Sequence, residues 1–487
     1  AKVIQKPLKQ WFLKITDYAD ELLNFEGLNW PKKTIAMQKN WIGKSVGASI
    51  FFDISDFDEK IEVFTTRPDT IFGATYLVLS PEHALTKKIS NNSDNILKYI
   101  EESASKNELQ RLDLNKDKTG IFSGAYAINP ANNKKIPIWI ADYVLVSYGT
   151  GAIMAVPGHD ERDFEFATKY DIEIDMVVAK TKDLQVSDKP IFEEGFCVNS
   201  DFLDGLSTQD AKTKIITWLE ENSFGKKEVN FRLRDWLISR QRYWGTPIPV
   251  VYDPDGQPHL VPTEHLPWKL PDDVEYKPKG TSPLGSSKEL LERTESIFGK
   301  GWKPEIDTMD TFVCSSWYYL RYADSKNDKE PFSKKSLNWL PVDCYVGGAE
   351  HATMHLLYAR FITKALRDLN LLNFDEPFKK LYHQGTITKD GAKMSKSKGN
   401  TVAPDKFIEQ YGSDTFRIYL MFMGPYDEGG DWNDKGIKGI YRFLNKIWKL
   451  VSLPDSDNLD KKIDQLMHQT IKIVTDDLCK MKFNTSI

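Results

Sequence analysis

Cysteines are few in this sequence, and they do not occur in closely spaced pairs. Four are present among 487 residues, and they lie far apart: Cys197, Cys314, Cys344 and Cys479. Without a CxxC pair, the sequence offers neither a zinc ribbon nor a dithiol redox motif. Scattered single cysteines are typical of a reducing compartment, so the sequence predicts a cytoplasmic location.

An excess of positive charge and a long apolar run are also missing. The formal net charge is −5, with 65 Lys and Arg residues against 70 Asp and Glu residues. This balance excludes a protein that is basic overall, so any bound RNA would have to contact local basic patches. The longest weakly charged stretch, Tyr143 to Gly158, is interrupted by Gly149, Gly151 and Pro157 and is too short for a membrane helix. We therefore expect no membrane partner.

The length and composition are those of a multidomain globular protein. A chain of 487 residues is expected to form about two to four domains, and 40% hydrophobic with 28% charged residues is ordinary for such proteins. Residues 8–41 are predicted to be helical, with an aromatic face. From residue 47 to about residue 230, alternating apolar residues predict half-buried strands, and clusters of Gly, Asn and Pro predict the turns between them.

Mixed helix and strand patterns return after Phe231. The segment Asp343–Val346 is predicted to be a buried strand, followed by a glycine turn and by a helix over Glu350–Asp368. This order is typical of nucleotide-binding sheets. Beyond Pro425 apolar residues recur at helical spacing and predict two amphipathic helices, one from Ile437 to Val451 and one through Ile463, Met467, Ile471 and Val474.

The most distinctive string of the sequence is Lys393-Met394-Ser395-Lys396-Ser397. Glycines at 391 and 399 permit backbone conformations that other residues resist, and the lysines supply point charges on flexible stems. Such a loop suits the neutralisation of a polyphosphate during an in-line displacement. The plainer interpretation is a solvated basic loop, because charge runs usually face water.

Two further motifs lie in the strand-rich region. The first, TTRPDT at residues 65–70, follows a predicted strand, and its threonine hydroxyls could hold a ribose, a carbonyl or a water. The second runs from Tyr148 to Phe164, where an apolar strand leads into a His/Asp/Arg/Asp cluster at the start of a helix. Asp160 and Asp163 are three residues apart and could face one site. The alternatives are a threonine-rich turn with an Arg–Asp pair for the first motif, and helix N-capping by the aspartates for the second.

These motifs together resemble those of the leucyl-tRNA synthetases, a family of class I aminoacyl-tRNA synthetases. KMSKS in the context MSKSKGN resembles the second signature motif of the class, and TTRPDT with MAVPGHDERDFEF resembles the editing domain inserted into leucyl enzymes. Valyl enzymes typically show TTRPET and an HDxND-type segment instead. The segments 232–249, 307–321 and 347–358 are similar to leucyl enzymes as well, and the resemblance spans Gln10 to Thr485.

The resemblance implies an α/β fold. A Rossmann-like nucleotide-binding core is interrupted by a strand-rich α/β editing domain and followed by the start of an α-helical bundle. The implied domains are residues 1–41 as part of the catalytic core, 42–230 as the editing domain, 231–424 as the rest of the core with the KMSKS loop, and 425–487 as the start of the anticodon-binding bundle.

Roles in editing follow from the same resemblance. Thr65, Thr66 and Asp163 are expected to be catalytic, and the Asp163 carboxylate is expected to anchor the ammonium of the esterified amino acid through a charge-assisted bond. The implied pocket contains Thr65, Thr66, Arg67, Asp69, Thr70, Tyr148, Met154, His159, Asp160, Arg162 and Asp163. For Arg67 and Arg162 the alternative is pairing with neighbouring acids, and for Tyr148 and Met154 it is core packing.

Roles in synthesis are implied for a second set of residues. Lys393 and Lys396 are expected to act on the ATP phosphates, and the implied ATP site contains Gly347, Gly348, Glu350, His351, His383, Gln384, Lys393, Met394, Ser395, Lys396 and Ser397. The implied leucine site contains Ser316, Tyr319 and His355, and the alternative for Tyr319 and His355 is structural hydrogen bonding. His351 and His355 also have a metal-ligand spacing, but no third ligand is apparent, so no metal site is predicted.

The implied activity is the ATP- and Mg²⁺-dependent activation of leucine and its transfer to tRNA(Leu) by a monomeric enzyme, with hydrolysis of mischarged tRNA in the insert. A second step is needed because one methylene discriminates by only about 1–3 kcal/mol. The 487 residues contain neither an HIGH-type motif nor a zinc module before the insert, in contrast to bacterial leucyl enzymes. We therefore expect a bacterial-type fragment that lacks synthetic activity by itself. A valyl enzyme and a non-catalytic tRNA-binding paralogue are the alternatives.

Overall fold

The structure is a computed structural model that describes residues 8–90, 93–104, 111, 118–145, 150–181, 189–277, 280–454 and 460–487. These residues form two compact units: one contains residues 1–41 and 235–487, and the other contains residues 42–234. Within the described residues no helix combines the length and the apolar composition needed to cross a membrane.

The helices of the described residues are α1 (Ala19–Leu22), α2 (Lys32–Ile42), α3 (Thr86–Ile89), α4 (Asp94–Ala104), α5 (Glu161–Tyr170), α6 (Thr208–Glu221), α7 (Lys288–Phe298), α8 (Thr311–Ser315), α9 (Tyr318–Tyr322), α10 (His355–Asp368), α11 (Asp405–Tyr411), α12 (Ser413–Phe422), α13 (Ile437–Val451), α14 (Lys461–Cys479) and α15 (Phe483–Ser486).

The strands are β1 (Phe12–Leu13), β2 (Lys44–Ile54), β3 (Lys60–Thr65), β4 (Tyr76–Leu79), β5 (Gly120–Ile128), β6 (Lys135–Ala141), β7 (Ala152–Ala155), β8 (Val178–Ala179), β9 (Phe196–Cys197), β10 (Gly225–Phe231), β11 (Trp236–Leu237), β12 (Ser239–Arg240), β13 (Val250–Tyr252), β14 (Pro258–Leu260), β15 (Lys303–Pro304), β16 (Thr308–Met309), β17 (Val342–Val346), β18 (Phe378–Tyr382), β19 (Thr386–Lys389), β20 (Ala392–Lys393) and β21 (Gly429–Asp431).

The unit of residues 42–234 is built on one mixed sheet. Its strand order is β10-β2-β5-β6-β4-β7, and β3 pairs with β2 as well. The alternating strands β2 and β3 bury Ile50, Phe52, Ile61 and Val63 on one core, against which α6 packs its apolar side chains. A smaller second core lies around Tyr76 and contains the helix α5. The prediction of a strand-rich region with a strand directly before TTRPDT is confirmed by β3.

The other unit carries a parallel β–α–β arrangement. Strand β17 leads through Gly347 and Gly348 and a short 3-10 helix, Ala349–His351, into α10, and β17 pairs with β18 in parallel. Parallel strands need such a crossover, and their carboxyl ends meet at the same edge of a sheet. The predicted order of strand, glycine turn and helix is therefore confirmed.

Two local predictions were wrong. Residues 8–41 do not form a continuous helical segment, because Phe12–Leu13 pairs with Trp236–Leu237, and Asn29 forms a parallel bridge with Lys380. Backbone pairing with distant strands outweighs the local helical pattern there, and Gly27 at φ +77° and Pro31 separate α1 from α2. The predicted buried strand exists as β17, but none of its residues is fully buried, and its hydrogen-bonded neighbour in the described residues is β18 alone.

Helices after Pro425 agree with the sequence. The two predicted amphipathic helices are α13 and α14, whose apolar residues recur at helical spacing. The buried start of α13, at Ile437 and Ile440, packs in a cluster with Phe407, Tyr419 and Trp432.

Candidate functional site

The TTRPDT motif forms a tight turn that satisfies its own polar groups. The Arg67 amide donates to the Thr65 hydroxyl at 3.0 Å, and the Thr70 hydroxyl donates to the Arg67 carbonyl at 2.9 Å. Arg67 also pairs with the fully buried Asp69 carboxylate, with Nη2 and Oδ2 2.9 Å apart. The Thr-rich turn with an Arg–Asp pair is thus present, and the buried Thr70 uses its hydroxyl within the turn.

Thr66 is the exposed member of this turn. It lines a cavity of about 410 Å³ together with Val46, Gly47, Pro68 and side chains of α6. A Cβ at Gly47 would lie 2.0 Å from the Thr65 carbonyl oxygen, so only glycine permits this close approach of β2 to the motif. Asp163 and Met154 are not among the residues that line this cavity.

The second motif lies beside the first because of the strand pairing. TTRPDT leads into β4, and β7 leads into the His159–Asp163 segment, while β4 and β7 pair antiparallel with Tyr76 opposite Ala155. The beginning of one strand therefore lies at the end of the other. The charges of Arg67 and Asp69 both act on the His159 imidazole. The sheet thus brings the two motifs to the same edge.

Asp160 and Asp163 have different environments although they lie three residues apart. Asp160 is the N-cap of α5, and its carboxylate accepts from the amides of Arg162 at 2.9 Å and Asp163 at 3.1 Å. Asp163 is buried, and its carboxylate accepts from the Val156 amide at 2.8 Å. Burial, followed by the charge of Asp160, raises the pKa of Asp163 to about 7. Helix N-capping, the structural alternative, therefore applies to Asp160, while Asp163 is a strongly perturbed acid.

Two tyrosines that the sequence motifs did not indicate surround Asp163. The Tyr76 hydroxyl donates to the Asp163 carbonyl at 3.0 Å, and its ring stacks on Phe166. Burial and the charge of Asp163 raise the pKa of Tyr76 and of Tyr143. Tyr76 follows TTRPDT by six residues and lies two residues before Val78 in an apolar strand. This spacing puts both side chains on the same face of the strand, and it was the available sequence signal for Tyr76.

The other predicted pocket residues are dispersed. Both ring nitrogens of His159 bond to the backbone: Nδ1 donates to the Ile191 carbonyl at 2.8 Å, and Nε2 accepts from the amides of Val177 and Val178. Burial lowers the pKa of His159, so the ring is neutral, and its role in this structure is to hold the backbone segments at Ile191 and at Val177–Val178 together. Met154 packs in the core of the sheet, and Arg162 is exposed with its Nε 3.8 Å from Asp160. Tyr148 lies outside the described residues.

The KMSKS segment is an exposed loop on a structured base. The β19–β20 hairpin turns at Asp390 and Gly391, both at positive φ, and Asp431 accepts from the Gly391 amide at 3.0 Å. Ser395 caps the short 3-10 helix Lys396–Lys398, and its own amide donates to Asn400 at 2.9 Å. These bonds fix the backbone of the loop from both sides.

The side chains of the loop divide into one anchor and several free charges. Met394 packs against the cluster of Phe407, Tyr419 and Trp432, whereas Lys393 and Lys396 are exposed. Among the salt bridges of the described residues none involves either lysine. Unpaired ammonium groups on an anchored loop are available to a polyanion, which is the chemistry that the motif predicted.

The carboxyl ends of β17 and β18 bring the two glycine-containing motifs together. Val346 lies opposite Tyr382, so Gly347 and His383 follow at the same edge, and His383 Nδ1 is 2.6 Å from the Gly347 carbonyl oxygen. Gly348, Glu350 and His351 continue from this point, and Gln384 is exposed beside it. This edge is where α/β sheets bind their ligands.

The three predicted leucine-site residues differ in whether their polar side-chain atoms already have hydrogen-bond partners. The Ser316 hydroxyl donates to the Val313 carbonyl at 2.6 Å, and the Tyr319 hydroxyl lies 2.6 Å from Thr363, so both are used within the core. His355 is buried, and its Nδ1 has no hydrogen-bond partner among the described residues. Burial, followed by the neighbouring His351, lowers the pKa of His355 to about 4.

Tyr318, which the sequence interpretation passed over, lies next to this histidine. Its ring centroid is 6.0 Å from that of His355, and the Tyr345 ring lies at 5.8 Å on another side. Burial, followed by Tyr345 and Tyr322, raises the pKa of Tyr318 to about 12. The His355 ring thus lies between two tyrosine rings, and a buried nitrogen without a partner can still accept or donate one hydrogen bond. Adjacent tyrosines on a helix point in different directions, and only burial distinguishes Tyr318 from Tyr319.

Comparisons with known proteins agree with both sets of motifs. The family model described as the leucyl-tRNA synthetase editing domain matches residues 39–220, and the model of class I tRNA synthetases for isoleucine, leucine, methionine and valine matches residues 190–432. Over its whole length the chain is 52% identical to a leucine–tRNA ligase of Clostridium perfringens strain 13.

This chain belongs to the leucyl-tRNA synthetase family.

Further leucyl-tRNA synthetases and a solved structure extend the comparison. The chain is 51% identical to the leucine–tRNA ligase of Clostridium botulinum strain Hall. It spans 62% and 61% of the length of these two curated relatives. A crystal structure of a LeuRS of Agrobacterium radiobacter K84, in a ternary complex with tRNA and LeuAMS, matches with a TM-score of 0.79 at 34% identity, over 98% of this chain and 59% of that one. These matches establish that the chain has the class I synthetase fold with an inserted editing domain.

Proposed function

We propose that the protein is a leucine–tRNA ligase that activates leucine with ATP, transfers it to tRNA(Leu) and hydrolyses wrongly charged tRNA(Leu). The observation that carries this proposal is the presence of two chemically different sites in two units. One has unpaired lysines on an anchored loop in the same unit as a parallel β–α–β edge, and the other has a buried carboxyl group of raised pKa at the end of a strand pair. We assign residues 42–230 to editing, and 1–41 with 231–424 to synthesis, with 425–487 as the start of the anticodon-binding bundle.

The synthetic site would use the chain's residues as follows. The backbone at Gly347 and Gly348, with Glu350, His351, His383 and Gln384, would hold the nucleotide at the sheet edge. Lys393 and Lys396 would neutralise the charge that develops on the phosphates while the leucine carboxylate displaces pyrophosphate. His355, with its free Nδ1, and the neighbouring Tyr318 would hold leucine. Tyr319 and Ser316 would support this pocket from the core.

Mg²⁺ would arrive with ATP. In nucleotide sites this ion is usually held by phosphate oxygens, waters and one or two carboxylates, so it needs no cage of its own. No group of three or more His, Cys, Asp or Glu side chains in the described ranges forms such a cage. The exposed Glu350 carboxylate at the nucleotide edge fits the role of a single ligand.

The editing site would hold the ester between the two motifs. The ionised Asp163 carboxylate would bind the ammonium of the amino acid, and Thr65 and Thr66 would hold the ester or the attacking water. The Thr70 methyl would block the leucine side chain. Arg67 and Asp69 would hold the turn in shape, and His159 would pin the backbone after β7, while Arg162 is exposed and available to tRNA phosphates.

We further propose a monomeric, cytoplasmic protein that acts on leucine, ATP and tRNA(Leu). The LeuRS complexed with tRNA and LeuAMS supports these partners, since it matches nearly the whole chain. Because the 487 residues contain no HIGH-type motif, we expect these residues by themselves not to activate leucine.

The test is an amino-acid panel with the protein expressed from its own gene. Leucine should be the amino acid that drives ATP–pyrophosphate exchange best, and isoleucyl-tRNA(Leu) should be deacylated far faster than threonyl-tRNA(Val). A valyl enzyme would reverse both preferences, and a tRNA-binding paralogue would bind tRNA while showing neither reaction.

A further inference from the structure

Helix α2 presents two buried polar side chains, Thr34 and Gln38, to the interior of its own unit. They are four residues apart and therefore lie on one face of the helix. Thr34 is 1% exposed and Gln38 is 0% exposed. Neither residue belongs to a motif that the sequence singled out. A buried polar group is tolerated when it is hydrogen-bonded, so their partners explain why they are there.

Thr34 forms a two-bond chain to the glycine turn. Its hydroxyl lies 2.7 Å from His383 Nε2, and His383 Nδ1 lies 2.6 Å from the Gly347 carbonyl oxygen. A carbonyl can only accept, so Nδ1 carries the proton, and in the neutral ring Nε2 accepts from Thr34. The Gly347 carbonyl thus sets the tautomer of His383, and Thr34 holds the orientation of the ring and through it the Gly347 peptide group.

Gln38 reaches the next part of the same edge. Its Oε1 accepts from Arg360 Nη1 at 2.8 Å, and its Nε2 donates to the Ala352 carbonyl at 2.7 Å. Arg360 is fully buried and can only donate, so the amide cannot be reversed without losing both bonds. Ala352 follows His351 directly, so Gln38 holds the backbone between His351 and His355.

The rest of the Arg360 network makes this anchor rigid. Arg360 also donates to both oxygens of Glu376 at 2.8 Å and to the carbonyls of Leu22 and Asn24 at 2.7 and 2.6 Å. All five donors of the guanidinium group are thereby engaged. The Gln38 amide oxygen is consequently fixed by Arg360, while the amide nitrogen is bonded to the carbonyl of Ala352 in the loop.

We infer that Thr34 and Gln38 are positioning residues for the nucleotide site, which set the loops at 347–352 and at His383 in their binding geometry before ATP arrives. This inference rests on the proposed function, because it presumes that these loops contact the nucleotide. Preorganised loops spend less of the binding free energy on ordering, so loss of either bond should weaken ATP binding. Neither side chain touches the substrate in this assignment; both act through the backbone.

Variants that remove one bond at a time test the inference. Thr34→Val keeps the shape and removes the hydroxyl, whereas Thr34→Ser keeps the hydroxyl and is the matched rescue. Gln38→Glu keeps the acceptor for Arg360 and removes the donor to Ala352. The protein expressed from its own gene is assayed for leucine-dependent ATP–pyrophosphate exchange, deacylation of isoleucyl-tRNA(Leu), melting temperature and amide hydrogen exchange of the segment 347–355.

The expected result is a selective loss. Thr34→Val and Gln38→Glu should raise KM for ATP roughly three- to tenfold, the size of one lost hydrogen bond. They should lower the protection of the segment 347–355, with deacylation unchanged, and Thr34→Ser should resemble the wild type. Wild-type KM for ATP and unchanged protection in Thr34→Val would overturn the inference, as would an equal effect of Thr34→Ser. A wild-type protein without exchange would refute the proposed function instead, and the hydrogen-exchange result would still decide the positioning role.

Discussion

The two candidate sites differ in how they hold charge. In the unit of residues 42–234 two carboxylates of the candidate site are buried and bonded: Asp69 is paired with Arg67, and Asp163 accepts from the Val156 amide and has its pKa raised to about 7. In the other unit the lysines of the KMSKS loop are exposed, and no salt bridge of the described residues engages them.

The difference suits two kinds of ligand. A polyphosphate carries its own charge and can organise exposed lysines around it, whereas a single ammonium is recognised best by a carboxylate that water cannot reach. The exposed KMSKS lysine side chains can thus take their positions around the ligand, whereas the Asp163 carboxylate is held in place before its ligand arrives. Substitutions at either site test this contrast.

Loss of the Asp163 charge should have the largest effect. Asp163→Ala and Asp163→Asn should each slow deacylation of isoleucyl-tRNA(Leu) by roughly a thousandfold, because the buried partner of a charged group is removed. Asn keeps the acceptor for the Val156 amide, so an equal loss in both variants assigns the effect to charge. Glu161→Gln on the same helix is the control and should deacylate normally. Normal deacylation by Asp163→Asn would show that the carboxylate does not bind the ammonium.

Loss of a loop lysine should have the next largest effect. Lys393→Ala or Lys396→Ala should lower kcat for leucine activation roughly a hundredfold, with a smaller change in KM, because the charge acts most strongly in the transition state. Lys398→Ala removes the same charge from the same loop and is the matched control. A change confined to KM for ATP in the two variants would show that the lysines bind the ground state and the transition state equally.

Removal of the Thr70 methyl should create an unwanted activity of moderate size. Thr70→Ser keeps the hydrogen bond to the Arg67 carbonyl and loses the methyl, so it should hydrolyse correctly charged leucyl-tRNA(Leu) at least about tenfold faster than the wild type. Thr70→Val keeps the branched wall and loses the hydrogen bond, so it should spare leucyl-tRNA(Leu). If Thr70→Val hydrolysed leucyl-tRNA(Leu) and Thr70→Ser did not, the role of Thr70 would be to hold the turn and not to block the leucine side chain.

The raised pKa of Asp163 should also appear as a pH-dependent difference in the stability of the fold. An acid whose pKa is raised in the folded state destabilises the fold as pH rises from its unfolded pKa, near 3.8, through its folded pKa, near 7. Relative to the wild type, Asp163→Asn should therefore gain free energy of unfolding between pH 4 and pH 7 and gain no more above that. A constant difference between the two proteins across this range, measured by denaturant titration, would show that the carboxyl group is not perturbed.

Sequence patterns anticipated the elements on which both sites are built. The strand before TTRPDT, the strand and helix around Asp160, the strand–turn–helix at Gly347 and the helices α13 and α14 follow directly from apolar periodicity and glycine placement. Such patterns are local. They predict these elements correctly because the packing of each element agrees with the helix or strand propensity of its own residues.

Patterns could not foresee arrangements made by distant contacts. Residues 8–41 read as a helix, but pairing of Phe12–Leu13 and Asn29 with remote strands prevailed. Tyr318 and Tyr319 are indistinguishable in sequence, and only the packing against Thr363 places Tyr319 in the core. Asp160 and Asp163 likewise share a motif, yet one caps a helix in solvent and the other is buried.

The most direct test of the central claim, that synthesis and editing occupy separate units, is to measure both reactions in the same preparations of Lys396→Ala and Asp163→Ala. Leucine-dependent ATP–pyrophosphate exchange should fall in Lys396→Ala and remain normal in Asp163→Ala, while deacylation of isoleucyl-tRNA(Leu) should show the reverse. Loss of both reactions to the same extent in either variant, at an unchanged melting temperature, would contradict the account.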